Sequence, residues 1–142
     1  MKGYSERKIY PDWALRAFRD ATAIVNSIYI VYNEDDEKTI IRCHELARAV
    51  LPFLESNWKI IDGHYASIQH SWLVRDKLIL DTYNAARLPM VTLIGGHWSS
   101  VELYRPGSLR DDIRLDIISV LNYEICMNGF QHKSPLNVQL LP

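Results

Sequence analysis

The chain has 142 residues, 48% of them apolar and 23% charged, with a net charge of −1. That length suits one domain over residues 1–142, whose core buries roughly two-thirds of the surface the unfolded chain would expose. Near-neutral charge without a basic block argues against broad nucleic-acid binding, and the apolar runs fall well short of the ~20 residues of a membrane span.

In chain order, the opening MKGYSERKIYPDW lacks the apolar core of a secretory signal. A first helix is expected to start near Pro11, a first-turn proline, and to carry Trp13, Ala17, Ala21, Ile24, Val25 and Ile28 at helical spacing before ending ahead of Asn33. NEDDEKTIIRCHELARAVLPFLES is acidic at its start, as a helix N-terminus prefers. Ile40, Cys43, Ala47, Val50, Leu51 and Leu54 form its stripe, and the helix either runs from Asp35 or starts afresh close to Cys43. From Trp58 to about Gly95, the segments WKIIDGHYA, HSWLV, KLILDTY and MVTLIGG are short, aliphatic and aromatic, and separated by turn residues. They read as three or four mainly antiparallel strands. SLRDDIRLDIISVLNYEICMNG returns to helical spacing, with Ser108 as N-cap, Gly129 as C-cap and an apolar stripe of Ile113, Ile117, Val120, Leu121 and Ile125. Helices segregated from an antiparallel sheet make the fold class α+β.

The stretch IQHSWLVRDKLILDTYN, residues 68–84, reads as a hairpin. A two-residue turn at Arg75–Asp76 places His70 directly across from Asp81, with Cβ atoms about 4.5–5.5 Å apart. A turn at Asp76–Lys77 keeps both on one face as diagonal neighbours, and a three-residue turn separates them. Trp72 shares the face of His70, because side chains alternate along a strand. A carboxylate beside a histidine fixes its tautomer and stabilises the imidazolium formed when it takes a proton. The histidine then needs a nucleophile. Cys43 is the candidate, since a helix N-terminus and an imidazolium both favour a thiolate.

The order of RCHELARAV, QHSWLV and LILDTYN, a cysteine on a helix, H-x-W on a strand and an aspartate on the next, resembles the papain-like cysteine fold. It is most similar to the transglutaminase-like branch, in which a helix packs against an antiparallel sheet. The resemblance covers about residues 38–84. It implies Cys43 as nucleophile, His70 as general base and acid, Asp81 as the orienting carboxylate, a peptide or amide substrate, and no cofactor and no metal. It leaves the oxyanion donor open between Asn33 and the backbone N–H of Cys43. Trp72, His64 and Tyr65 are the candidate substrate contacts. A core this short leaves room for a cleft completed by a second subunit, as a homodimer.

The other readings are blander. Cys43 lies on an apolar stripe, where an inert buried thiol is common. Asp81 can end a strand, and His64 can sit on a solvated turn. Such a chain is a non-catalytic interaction protein with a protein partner, of the kind a virus or mobile element encodes. A metal-dependent hydrolase would draw on Cys43, His44, His64, His70 and His97, although CHEL lacks the second histidine of H-E-x-x-H. LIGGHWSS lacks the phosphate-binding glycine patterns. Arg105 and Arg110 read as surface charges, and Trp13, Trp98 and Tyr104 as packing. Cys43 and Cys126, in a chain without a leader, read as free thiols, and the expected compartment is the cytoplasm of a cell or of a virus-infected cell.

Overall fold

The computed structural model describes residues 10–28, 41–55, 57–84, 89–95 and 102–133. Helix α1, Asp12–Ser27, starts directly after Pro11, carries Asp12 in its first turn and buries Ala14, Ala17, Ala21, Ile24 and Val25 along one stripe. Helix α2, Cys43–Val50, follows an extended Arg42 (φ −85°, ψ 158°), so of the two expected starts the chain uses the one at Cys43. It tightens into a 3₁₀ turn over Leu51–Phe53, where Pro52 has no N–H to continue the α ladder.

Five antiparallel strands follow: β1 Lys59–Tyr65, β2 Ile68–Arg75, β3 Leu78–Asp81, β4 Thr92–Gly95 and β5 Tyr104–Pro106. Their spatial order is β4-β3-β2-β1-β5. The expected count of three or four strands is one short. The extra strand, β5, is three residues long and carries no alternation to read. It pairs with β1 across Gly63. A Cβ at position 63 would lie 2.0 Å from the carbonyl oxygen of Arg105, so only glycine admits β5 there.

Helix α3 spans Leu115–Met127 and begins six residues later than an N-cap at Ser108 would place it. The intervening backbone is held elsewhere. Gly107 N–H donates to the Asp62 carbonyl, Arg110 N–H to the Asp62 carboxylate and Arg114 N–H to the Glu45 carboxylate. Residues 107–114 therefore form a strap between β5 and α3. At the other end Gly129 takes φ +99°, with Gly129 N–H bonded to Cys126 O and Phe130 N–H to Ile125 O. This is a Schellman cap, and it stops α3 where the glycine is expected to.

The three helices among the described residues share one core cluster with Leu73 and Leu80 of the sheet. Trp72, Ile79 and Tyr104 form a second, smaller cluster with Ile61, Tyr65 and Ile94 partly buried against it. Glu45, fully buried in the first turn of α2, is paired with Arg42 and with Arg114. Burial opposes its charge, but the Arg42 and Arg114 bonds outweigh that and hold the carboxyl down at about 2. The strap and the start of α2 are thus locked together beside Cys43. Among the described residues no helix is long and apolar enough to cross a membrane.

Candidate active site

The β2–β3 hairpin turns at Asp76–Lys77, with Arg75 opposite Leu78, Val74 opposite Ile79 and Leu73 opposite Leu80. Asp76 adopts φ 55°, a left-handed geometry that aspartate tolerates better than most residues. This is the second of the two-residue turns, so direct opposition of His70 and Asp81 is replaced by the diagonal arrangement on one face. The diagonal is short enough. His70 Nε2 lies 2.7 Å from Asp81 Oδ2, and both side chains are fully buried. The Asp81 carboxylate also accepts the Tyr104 hydroxyl at 2.7 Å and the Tyr83 backbone N–H at 3.0 Å. Its own burial, and then the Asp81 charge, push the Tyr104 phenol far above its ordinary value, so it stays a donor.

With Nε2 committed to Asp81, the remaining ring nitrogen, His70 Nδ1, carries no hydrogen bond among the described residues. Cys43 is the first residue of α2. Burial disfavours the Cys43 thiolate, but the hydrogen-bond contact with His44 and the charges of His44 and His70 overcome that and bring the thiol down to about 6. Burial likewise opposes the His70 imidazolium, and Asp81 and then Cys43 overcome it and lift His70 to about 9. Both shifts favour the charged form of the group concerned. The α2 N-terminus adds in the same direction, because its first N–H groups have no intrahelical acceptor.

A second polar chain meets the same sulfur. His44 Nδ1 stands 3.5 Å from Cys43 Sγ and 2.6 Å from Ser71 Oγ. Ser71 Oγ donates to Asp62 Oδ1 at 2.5 Å, and Arg48 grips both oxygens of Asp62 at 3.0 and 2.5 Å.

Of the remaining sequence-derived candidates, Trp72 does share the face of His70, with ring centroids 6.0 Å apart, but it is 2% exposed. It forms a wall beneath the imidazole rather than a surface open to substrate. Tyr65 is half-buried and flanks both His70 and Tyr104. His64, its neighbour on the strand, is exposed and lines a cavity of about 310 Å³ with Asp62, Gln69 and Arg110. His97, Trp98 and Asn33 lie outside the described residues. Among the described residues no group of three or more His, Cys, Asp or Glu side chains stands ready to hold a metal. Cys43 and Cys126 are both free thiols, the second exposed.

Sequence reading gave Tyr104 to packing alone, assigned no role to Ser71, Asp62 or Arg48, and considered His44 only as a metal ligand. Two signals were present. Asp62 interrupts the apolar strand WKIIDGHYA on the face of Ile60, and a charge there needs a buried partner. Arg48 sits four residues after His44, one helical turn along the same face.

No protein-family model, no curated protein and no solved structure matches the chain.

Proposed function

We propose that the chain is a thiol-dependent acyltransferase or amide hydrolase built on a papain/transglutaminase-like core, with Cys43, His70 and Asp81 as its triad. One observation carries the reading. His70 is bonded to Asp81 through Nε2, its Nδ1 carries no hydrogen bond among the described residues, and a buried thiol stands at the start of a helix. In the reaction, the Cys43 proton resides on His70 Nδ1 and the thiolate attacks the substrate carbonyl carbon. The oxyanion is met by the free N–H groups at the start of α2. The imidazolium returns its proton to the departing amine, leaving a thioester on Cys43. Water or an amine, deprotonated by the now neutral His70, then attacks that thioester and restores the thiol. Asp81 remains ionised throughout and stabilises the imidazolium. The substrate class is a peptide or other amide.

The rival reading, an interaction protein, would rest on the exposed side of α3, where Val120, Tyr123 and Met127 are 62–68% exposed. It gives no reason for coupling a buried thiol to a His–Asp pair, and nothing in the structure shows what would cover that face.

Because Cys43 is only 7% exposed, a small acyl donor is the suitable probe. With p-nitrophenyl acetate the proposal expects a burst of p-nitrophenolate and an acetyl group on Cys43 by mass spectrometry. Cys43→Ala should abolish both, and His70→Ala should slow acylation by roughly 10²–10⁴-fold, the usual worth of general acid–base catalysis. Acetylation that spares Cys43, or that proceeds equally fast in His70→Ala, would sink the proposal.

A further inference from the structure

One oxygen of Asp81 serves two donors. His70 Nε2 and the Tyr104 hydroxyl each stand 2.7 Å from Asp81 Oδ2, while Oδ1 takes the Tyr83 backbone N–H at 3.0 Å. A carboxylate only accepts hydrogen bonds, so the phenol proton points at Oδ2. The strand fixes Tyr104 in that place. β5 pairs with β1 at Tyr65 and Tyr104, and the Tyr104 ring meets Tyr65 and Trp72 edge to face, with centroids 4.9 and 5.1 Å away. The side chain is 7% exposed, and burial and then the Asp81 charge keep it protonated. The second donor is therefore permanent.

Two donors on one acceptor oxygen weaken each other. The phenol O–H dipole presents its positive end to the oxygen that faces the imidazole, and so offsets part of the charge that favours a proton on His70. The other titratable groups around the ring are Cys43 of α2, whose thiolate favours the imidazolium, and Tyr65 of β1, which flanks both His70 and Tyr104. Resting on His70 as the proton carrier of the proposed reaction, we infer that Tyr104 is a positioning residue: by sharing Asp81 Oδ2 with His70 Nε2, its hydroxyl limits the proton affinity of the imidazole. An imidazole backed by an undivided carboxylate would hold its proton too tightly to act as an acid. The step it serves balances. The proton leaves His70 Nδ1 for the amine nitrogen as the C–N bond breaks, Nε2 keeps its proton on Asp81, and Tyr104 keeps its own.

Proton NMR titration of the His70 ring in the full chain reads this effect without a substrate, with the signals assigned by their loss in His70→Asn. Tyr104→Phe keeps the aromatic ring and removes the hydroxyl. The His70 midpoint should rise by about one unit, since a hydrogen bond to a charged group is worth roughly one to two units in all. The alkaline limb of acylation by p-nitrophenyl acetate should rise with it. Placing 3-fluorotyrosine at position 104, a stronger donor of nearly the same shape, should move the midpoint downward. That variant decides the question should Tyr104→Phe fail to fold. A midpoint unmoved by either change would overturn the inference and leave Tyr104 to packing. A midpoint that falls in Tyr104→Phe would also overturn it, because the phenol would then be steadying Asp81 rather than competing with His70. If the midpoint moves as expected but Cys43 is never acylated, the sharing of Oδ2 stands and the triad fails.

Discussion

Two buried histidines bear on Cys43, and they differ in what stands behind them. Behind His70 is Asp81, whose partners besides the imidazole are a phenol and a backbone N–H, both neutral. Its negative charge is therefore balanced when His70 takes a proton, and His70 is raised to about 9. Behind His44, through Ser71, is Asp62, and its charge is already met by the Arg48 guanidinium. That side has no use for a second positive charge. The same pair of residue types, histidine and aspartate, thus has a carboxylate left to balance an imidazolium on one side and one already met by a cation on the other, and the difference is one arginine.

The largest expected effect comes from neutralising the first carboxylate. Asp81→Asn should lower acyl transfer by roughly 10²–10⁴-fold, since the imidazolium loses its stabilising charge. It should also reshape the pH profile. With Cys43 near 6 and His70 near 9, the active form is the thiolate with a protonated imidazole, so wild-type kcat/KM should rise through the first value and fall through the second. In Asp81→Asn burial acts on His70 unopposed by a carboxylate, and the alkaline limb should move down towards or below 6.5, the ordinary histidine value. An unmoved alkaline limb would mean that Asp81 does not set the His70 proton.

Asp62→Asn should act mainly on stability. It strands the Arg48 charge in a largely buried position and should cost about 3 kcal/mol in urea unfolding. It should leave the alkaline limb of the pH profile in place, because Asp62 does not contact His70. A shift of the alkaline limb instead would merge the two sides into one network. Tyr104→Phe is smaller again, removing one hydrogen bond to a buried carboxylate at a cost of about 1.5–3 kcal/mol by the same unfolding measurement. A neutral result would mean that water replaces the phenol.

The first side was largely legible in the sequence and the second was not. His70, Trp72 and Asp81 lie within one hairpin, so strand alternation alone limits where they point, and the single uncertainty was the turn. Asp76 settled it by taking the left-handed position, which shifts the pair from opposite to diagonal. The Cys43 helix was ambiguous because acidic residues upstream also mark a helix start, yet an extended Arg42 makes the cysteine its first residue. By contrast, Tyr104 reaches Asp81 from a three-residue strand that leaves no periodic trace. The His44–Ser71–Asp62 chain joins α2, β2 and β1, and its members have no fixed sequence spacing. The late start of α3 has the same origin. Helical periodicity over Ser108–Arg114 was overridden because the buried carboxylates of Asp62 and Glu45 capture the backbone donors of the strap.

The central claim is that the fold turns Cys43 into a thiolate near neutral pH. In a Cys126→Ser background, which removes the exposed thiol, the rate of Cys43 alkylation by iodoacetamide should be followed from pH 4 to 10. The account predicts a rise with a midpoint near 6 that shifts upward in His70→Ala. A rate that climbs only around 8.5, the value of an ordinary cysteine, and is indifferent to His70 would contradict it.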